Sequence, residues 1–341
     1  MEKVTNFLVD LLNTKSPSGH AERAIEFVKN EFEKLDVKCD VTVKGALICF
    51  IKGRNGSIKR TVSAHVDTLA AMVKEIKGDG SITLSRIGGY TMNSVEGEYC
   101  TVETFDGKFY TGTILYNETS VHVYDKVGTT ERTDKNMIIR LDEVVKNDKD
   151  VKNMGISVGN YVHFDPRVQV TKSGFVKSRH LDDKAGVAVL YSALLKLKEQ
   201  KINPEYDTYY FISNNEEVGH GARAGYPEDT AEFLAVDMGA VGKGQTSKED
   251  NVAICIKDSS GPYSYELTMR LKDIAIKNNI NYAMDIFPHY GSDASAAISA
   301  GLNAKHALIG PGIDASHAME RTHIKGIEES ARLLYHYIAG D

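Results

Sequence analysis

Two hydrophobic patterns occupy this chain, and the boundary between them limits the folds open to it. From about residue 70 to residue 164, short apolar runs alternate with Gly, Thr and Tyr, as in GSITLSRIGGYT and YCTVETFDGKFYTGTILYN. No helical period is evident there, or before about residue 180, which predicts a small all-β module. Outside it the period changes. Val4, Phe7, Leu8, Leu11 and Leu12 recur at helical spacing until SPSG, and Ile25, Val28, Phe32 and Leu35 form a second stripe. VKCDVTVKGALICFIKG reads as a hairpin and IKRTVSA as a strand ending just before His65.

Beyond the module, the helix LDDKAGVAVLYSALLKLKEQ precedes the strands EYDTYYFISN and TAEFLAVDMG. The helix YELTMRLKDIAIKNN, the strand AKHALIGPG and the helix GIEESARLLYHYIAG complete the chain. Helices alternating with strands predict an α/β fold, a mostly parallel sheet with helices on both faces. Residues 1–69 and 165–341 then form one α/β domain, and residues 70–164 an insertion in it. The 341 residues, 42% of them hydrophobic, suffice for a large core.

Charge and segment patterns narrow the partners. A net charge of −6 argues against a nucleic-acid or anionic-membrane partner. No apolar run approaches the roughly 20 residues that span a bilayer, and MEKVTNFLVDLLNTKSPSG lacks a signal-peptide layout, so a cytoplasmic location is expected. Cys39, Cys49, Cys100 and Cys255 show no CxxC pairing; they are expected to be small buried residues, with no disulfide framework and no thiolate metal site.

Candidate chemistry gathers at predicted strand ends. His65 follows a strand in SAHVDT, Asp182 stands where a loop enters a helix in RHLDDKAG, and Glu216 and Glu217 follow YDTYYFIS in SNNEEVGHG. Asp237 ends EFLAVD, and His317 follows AKHALIG after a short loop. In open α/β sheets that edge is where sites assemble. Singly, each feature has an ordinary reading: Asp183 as a helix cap, a lone histidine as a hydrogen-bonded surface residue, an EE pair as solvated. Five such features on one predicted edge favour a metal site instead. Two histidines with three or four carboxylates suit Zn2+, Co2+ or Mn2+. The carboxylates exceed the needs of one tetrahedral ion, so two divalent metal ions are expected, with one Asp bridging them. One glutamate of the pair can then bind metal while its neighbour takes a proton from water.

AHVD, LDDKAG, NEEVG, VDMG, GSDAS and SHAMERT, in this order and with an all-β insertion after the first, resemble the M42 family of metallo-aminopeptidases, the glutamyl and deblocking aminopeptidase group. The resemblance implies a zinc-peptidase α/β domain carrying a β-rich dimerisation domain, and a homo-oligomer: a dimer or a tetrahedral dodecamer. It implies Asp182 as the bridging ligand, His65 and Asp237 at one metal, Glu217 and His317 at the other, Glu216 as general base and Asp67 orienting His65. HVDTLA and LDDK depart from the more usual HMDEIG and LDDR. His323, six residues beyond His317, is the alternative last ligand. The expected substrates are peptides with a free N-terminus. The alternatives are a dinuclear hydrolase of acyl-amino acids and, from a different class, a glucanase, whose chemistry needs paired carboxyls and no metal. An acidic substrate preference would need a basic group near the site, for which Arg179, Lys184, Arg223 and Lys257 are candidates.

Overall fold

The computed structural model describes residues 1–340. Helices α1 (Glu2–Asn13) and α2 (Glu22–Glu33) bury the apolar stripes read from the sequence. A hairpin of β1 (Cys39–Val41) and β2 (Leu47–Ile51) follows, then the long strand β3 (Asn55–His65). One expectation is corrected here, because Cys39 and Cys49 form a disulfide. A ten-residue spacing matches no cysteine motif, but the hairpin register sets the two residues directly opposite each other, with Cα atoms 4.2 Å apart. Cys100 and Cys255 are free thiols, and all four cysteines are buried.

Leu69–Pro166 form a compact unit of their own. Six strands, β4 (Ala70–Ile76), β5 (Ile82–Ile87), β6 (Tyr99–Glu103), β7 (Phe109–Tyr116), β8 (Met137–Leu141) and β9 (Tyr161–Phe164), close into a barrel in the order β4-β5-β8-β7-β6-β9. Val73, Leu84, Val102, Ile114, Ile139 and Val162 fill its interior. Closure removes the sheet edges that short strands would otherwise expose. The sequence reading missed one helix here, α3 (Asp148–Asn153); at six residues it is too short for a period to register, and Asn147 caps it through the backbone N–H groups of Lys149 and Asp150.

The other unit comprises Met1–Thr68 and Arg167–Asp341. After Pro166 come β10 (Gln169–Val170), β11 (Phe175–Ser178), α4 (Leu181–Gln200), β12 (Tyr206–Ser213), β13 (Glu232–Val236), β14 (Gly239–Val241), β15 (Val252–Asp258) and β16 (Gly261–Pro262). The chain closes with α5 (Tyr265–Lys277), β17 (Tyr282–Ile286), α6 (Asp293–Ser299), β18 (Lys305–Asp314), β19 (Glu320–His323) and α7 (Ile324–Ala339). The sheet is mixed, not mostly parallel. β12, β3, β13 and β18 run parallel to one another in that order, but β2 joins β12 antiparallel and β15 joins β18 antiparallel. The short β1–β2 turn forces a reversal, and β2 carries that direction onto the edge of the parallel core.

Side chains alternate across the sheet. Val62, Ala64, Tyr210, Ile212, Leu234, Val236 and Ile309 face a core shared with α1, α2, α4, α5 and α7. Phe211, Phe233, Ala235, Cys255 and Leu308 face a smaller one with α6. α4 is buried almost all round, which explains its weak amphipathic pattern. Among the described residues no helix is long and apolar enough to cross a membrane.

Candidate metal centre

The four parallel strands deliver the candidate side chains to one edge. His65 is the last residue of β3, Glu216 and Glu217 form a 3-10 turn after β12, Asp237 follows β13, and His317 follows β18. Asp182 lies in the first turn of α4, where Asp182 and Asp183 depart from helical backbone angles. A strand must stop and a helix must start where backbone polar groups lose their regular partners, and carboxylates take over that role here.

Asp182 stands between the two histidines. Its Oδ1 lies 3.3 Å from His65 Nε2 and its Oδ2 lies 3.4 Å from His317 Nε2. Glu216 Oε2 is 3.7 Å from His65 Nε2, and Glu217 Oε2 is 3.6 Å from His317 Nε2. Donor atoms of His65, Asp182 and Glu217 all lie within 4.8 Å of one another, as do those of His65, Asp183 and Asp237. All six expected ligand and base residues therefore meet in one cluster.

The fit to a metal can be read from His65. Its Nδ1 faces the main-chain oxygen of Asp67 at 3.0 Å; a carbonyl only accepts, so Nδ1 carries a proton, and in the neutral imidazole the lone pair is then on Nε2. Nε2 is buried and makes no hydrogen bond. Two donor atoms each about 2.0–2.2 Å from one tetrahedral ion lie about 3.3–3.6 Å apart, the spacing found on both sides of Asp182. The residues present fit divalent cations with nitrogen and oxygen ligands.

Electrostatics give the same answer. Burial, joined by the charges of Asp237, Asp293 and Glu217, pushes the Glu216 carboxyl well above its usual range, against the pull of His65. Burial and the charge of Asp182 push Asp237 up to about 7. The Asp182 carboxyl is itself buried, but the two imidazoles hold it below its ordinary value. A cluster with this excess of carboxylate lacks positive charge, which a divalent cation would supply.

Outer groups hold the cluster in place. Asp67 is fully buried and accepts from Ser18 Oγ at 2.5 Å, Glu216 N at 3.0 Å and Glu217 N at 3.3 Å. Its Oδ1 also lies 3.5 Å from His65 Nδ1. Asp67 thus grips the glutamate turn by its backbone. Asp183 accepts from His65 N at 3.2 Å and Gly186 N at 3.1 Å, so it serves as the α4 cap considered in the sequence reading and also reaches the metal cluster. His323 caps α7, its ring accepting from Lys325 N, with Nε2 facing the Ser173 carbonyl, so His317 occupies the cluster and His323 does not.

Glu320 was not singled out from the sequence, although it lies inside SHAMERT. It is buried and accepts from Asp182 N and His317 N, each at 3.0 Å, tying together two candidate ligands 135 positions apart in the chain. His317 has φ of 63°, a left-handed conformation that costs a non-glycine residue about 1–3 kcal/mol, and the Glu320 contact helps to hold it there. Asp293 begins α6 and accepts from Ser213 Oγ at 2.5 Å and Ala222 N at 2.7 Å, so HYGSDAS leads into a helix through a Ser292 capping box.

Known proteins resemble this chain along its whole length. A family model described as M42 glutamyl aminopeptidase matches residues 45–333. The Bacillus subtilis (strain 168) protein "Putative aminopeptidase YhfE" is 50% identical over 338 residues, covering 99% of this chain and 98% of its own. The TET aminopeptidase of the marine sediment archaeon Thaumarchaeota archaeon SCGC AB-539-E09 shares the fold, with a TM-score of 0.89 at 20% identity over 99% of this chain and 97% of that one. So does the Pyrococcus horikoshii TET1 peptidase, described as assembling into a tetrahedron or a large octahedral shell, with a TM-score of 0.85 at 22% identity over 97% and 98% of the two chains. With the family model spanning most of the sequence and half of all positions shared with a full-length relative, this chain belongs to the M42 glutamyl aminopeptidase family of peptide hydrolases.

Proposed function

We propose that the protein is a dinuclear metal-dependent aminopeptidase that removes the N-terminal residue of peptides, with Glu216 as general base. The observation that carries this reading is Asp182, whose two oxygens each face a different histidine nitrogen at 3.3 and 3.4 Å. Asp182 is the shared ligand, with His65 and Asp237 on one side and Glu217 and His317 on the other. Two divalent ions held there, Zn2+ by the donor set or else Co2+ or Mn2+, would supply Lewis acidity to activate water and polarise the scissile carbonyl.

The chain's own residues do the rest. Glu216 is the carboxylate of the pair that lies farther from His317, and its raised pKa suits a group that takes a proton from water and passes it to the leaving amine. Asp67 fixes the backbone of both glutamates and the ring of His65, so that base and ligand keep their spacing through turnover. The carboxylate-rich cluster would pair with the free α-ammonium group of a peptide, which favours cleavage at the N-terminus. Glu216→Gln keeps the size of the side chain and removes its basicity. We expect it to retain about two metal ions per chain and lose at least about 100-fold in kcat. Unchanged kcat in a variant with full metal content would sink the assignment.

The barrel is the proposed pairing module. Its surface exposes Tyr99, Phe105, Phe109, Val144 and Val158, apolar side chains that a second copy would cover. Light scattering on the intact chain and on a Tyr99→Glu, Phe105→Glu double variant tests the pairing, with an unchanged mass in the variant counting against it.

A further inference from the structure

The loop that carries the glutamate pair, residues 214–222, has little packing to hold it, for Val218, Gly219 and His220 are all exposed. Its backbone is fixed by polar contacts instead. We infer that Lys44, in the turn between β1 and β2, is a positioning residue for the general base: it holds this loop by its carbonyls while Asp67 and Asp293 hold it by its N–H groups. Glu216 is the base only on the aminopeptidase reading, on which the part of Lys44 in turnover therefore rests; the grip on the loop stands apart from that reading.

Strand register brings the two segments together. β2 lies antiparallel to β12 with Leu47 opposite Ile212, so the turn before β2 falls beside the loop after β12. That turn is tight. Thr42 N donates to Ala46 O at 2.8 Å, Gly45 N to Thr42 O at 2.9 Å and Ala46 N to Thr42 Oγ1 at 3.0 Å, and the Cys39–Cys49 bond closes the hairpin behind it. Gly45 lets the turn meet the loop, since its φ is 94° and a Cβ there would stand 2.8 Å from Asn214 Nδ2. Asn214 Nδ2 donates to Lys44 O at 3.0 Å. The Lys44 side chain then crosses to the other end of the loop, where its ammonium donates to the carbonyls of His220 and Gly221, the latter at 2.6 Å. Lys44 thus touches the loop at both ends, with its main chain at 214 and its side chain at 220 and 221.

Charges are distributed to match. Asp67 accepts from Glu216 N and Glu217 N, Asp293 accepts from Ala222 N, and the carbonyls at 220 and 221 face the Lys44 ammonium. Each of these bonds has an ionised partner, which makes it stronger than a neutral one. Lys44 is half-buried; burial lowers its pKa and the charges of Asp293 and Asp67 oppose that shift, so the ammonium stands in the field of both carboxylates that grip the loop. The consequence differs between the two glutamates. Glu217 is a proposed ligand, and a bound ion would hold its carboxylate. Glu216 has no such anchor and takes its place from the backbone of its loop, so losing the Lys44 contacts falls on the base and spares the ligand set.

Lys44→Met keeps the length of the arm and the main-chain contact with Asn214 while removing the donors, and Lys44→Arg restores a cationic donor. Both variants and the wild type are compared as full metal-loaded chains. Hydrogen exchange read by mass spectrometry should quicken about tenfold or more in peptides covering 214–222 of Lys44→Met, with the barrel and α7 unchanged and Lys44→Arg close to wild type. On the best substrate of a panel of aminoacyl p-nitroanilides, Lys44→Met should lose about tenfold or more in kcat with KM within about twofold and metal content unchanged, and Lys44→Arg should regain most of the rate. Unchanged exchange at 214–222 in Lys44→Met overturns the inference whatever the rates. Faster exchange there with unchanged kcat overturns the positioning role and leaves the aminopeptidase reading standing. Faster exchange there, in a protein whose wild type cleaves no aminoacyl substrate, supports the grip of Lys44 on the loop and overturns the aminopeptidase reading instead.

Discussion

Replacing Asp67 by Asn separates the hold on the site from its chemistry, because the substitution keeps shape and removes only one acceptor and the charge. The carboxylate receives three donors: Ser18 Oγ and Glu217 N at one oxygen, Glu216 N at the other. An amide has a single oxygen. Whichever way it turns, at least one backbone N–H of the glutamate turn meets an NH2 group in a fully buried place. Losing one charge-assisted hydrogen bond and leaving that donor unpaired should together cost about 2–4 kcal/mol. The Asp67 carboxyl is held below its usual value by His65, Ser18 and the Glu216 N–H against the opposing effect of burial. Its contribution is therefore present above the unfolded value near about pH 4 and is lost as pH falls through the folded one. Urea unfolding of the metal-free protein at pH 7 should show the loss, and the gap between wild type and variant should narrow below pH 4. Metal affinity, read by chelator competition, should drop by about 10–100-fold. An unchanged urea midpoint together with unchanged metal affinity would refute the role assigned to Asp67.

The metal-free protein should lose stability as pH rises from about 5 to about 8. Burial and then the charge of Asp182 raise Asp237 to about 7 and Glu320 to about 8, so the folded chain keeps protons that the unfolded chain releases. Differential scanning calorimetry checks this, and a melting temperature that climbs over that range would contradict it. Tyr210 is fully buried and its hydroxyl has no hydrogen-bond partner. Tyr210→Phe should therefore be neutral or stabilising by up to about 1–2 kcal/mol in urea titrations, where a destabilisation would reveal a missed partner. Gly310 on β18 backs directly onto the residue before Met238, and a Cβ there would stand 1.7 Å from the Asp237 main-chain oxygen. Gly310→Ala should cost at least about 1–3 kcal/mol and lower metal content, which metal analysis after gel filtration reads out.

Helices α1, α2 and α7 were legible because each lies on a single core and exposes its other face, so the 3.6-residue period survives in the sequence. α4 has almost no such period, because it is buried on nearly every side. The barrel texture was visible, but the chain order of its strands gives no hint that β5 pairs with β8 or that β9 pairs with β4 and β6. β15 and β17 passed unnamed because a five- to seven-residue apolar run can be helix or strand until its neighbours are known. The mixed character of the sheet was hidden for a related reason. Strand direction at an edge follows from which neighbour a strand finds, and alternation carries no record of it.

At the site, residue types at strand ends were enough to nominate His65, Asp182, Glu216, Glu217, Asp237 and His317. The resemblance favours His317 over His323 as the last ligand, and the capping contact of His323 with Lys325 N keeps His323 out of the cluster. Glu320 could not have been found by pattern, since its work is done on the backbones of Asp182 and His317 and local sequence does not register such contacts. The Cys39–Cys49 bond was missed for the same reason, its partner being fixed by register across a turn.

The interruption of the α/β unit by the barrel also orders events during synthesis. His65 and Asp67 leave the ribosome before any barrel strand, Asp182 only after all six, and His317 about 250 residues after His65. At about 5–20 residues per second that interval is tens of seconds at the slower rate. The barrel is one continuous stretch of about 100 residues with a core of its own, so it can close while the cluster still lacks most of its side chains. The candidate cluster therefore comes together only once His317 has been made, whereas the barrel needs none of the chain that follows it.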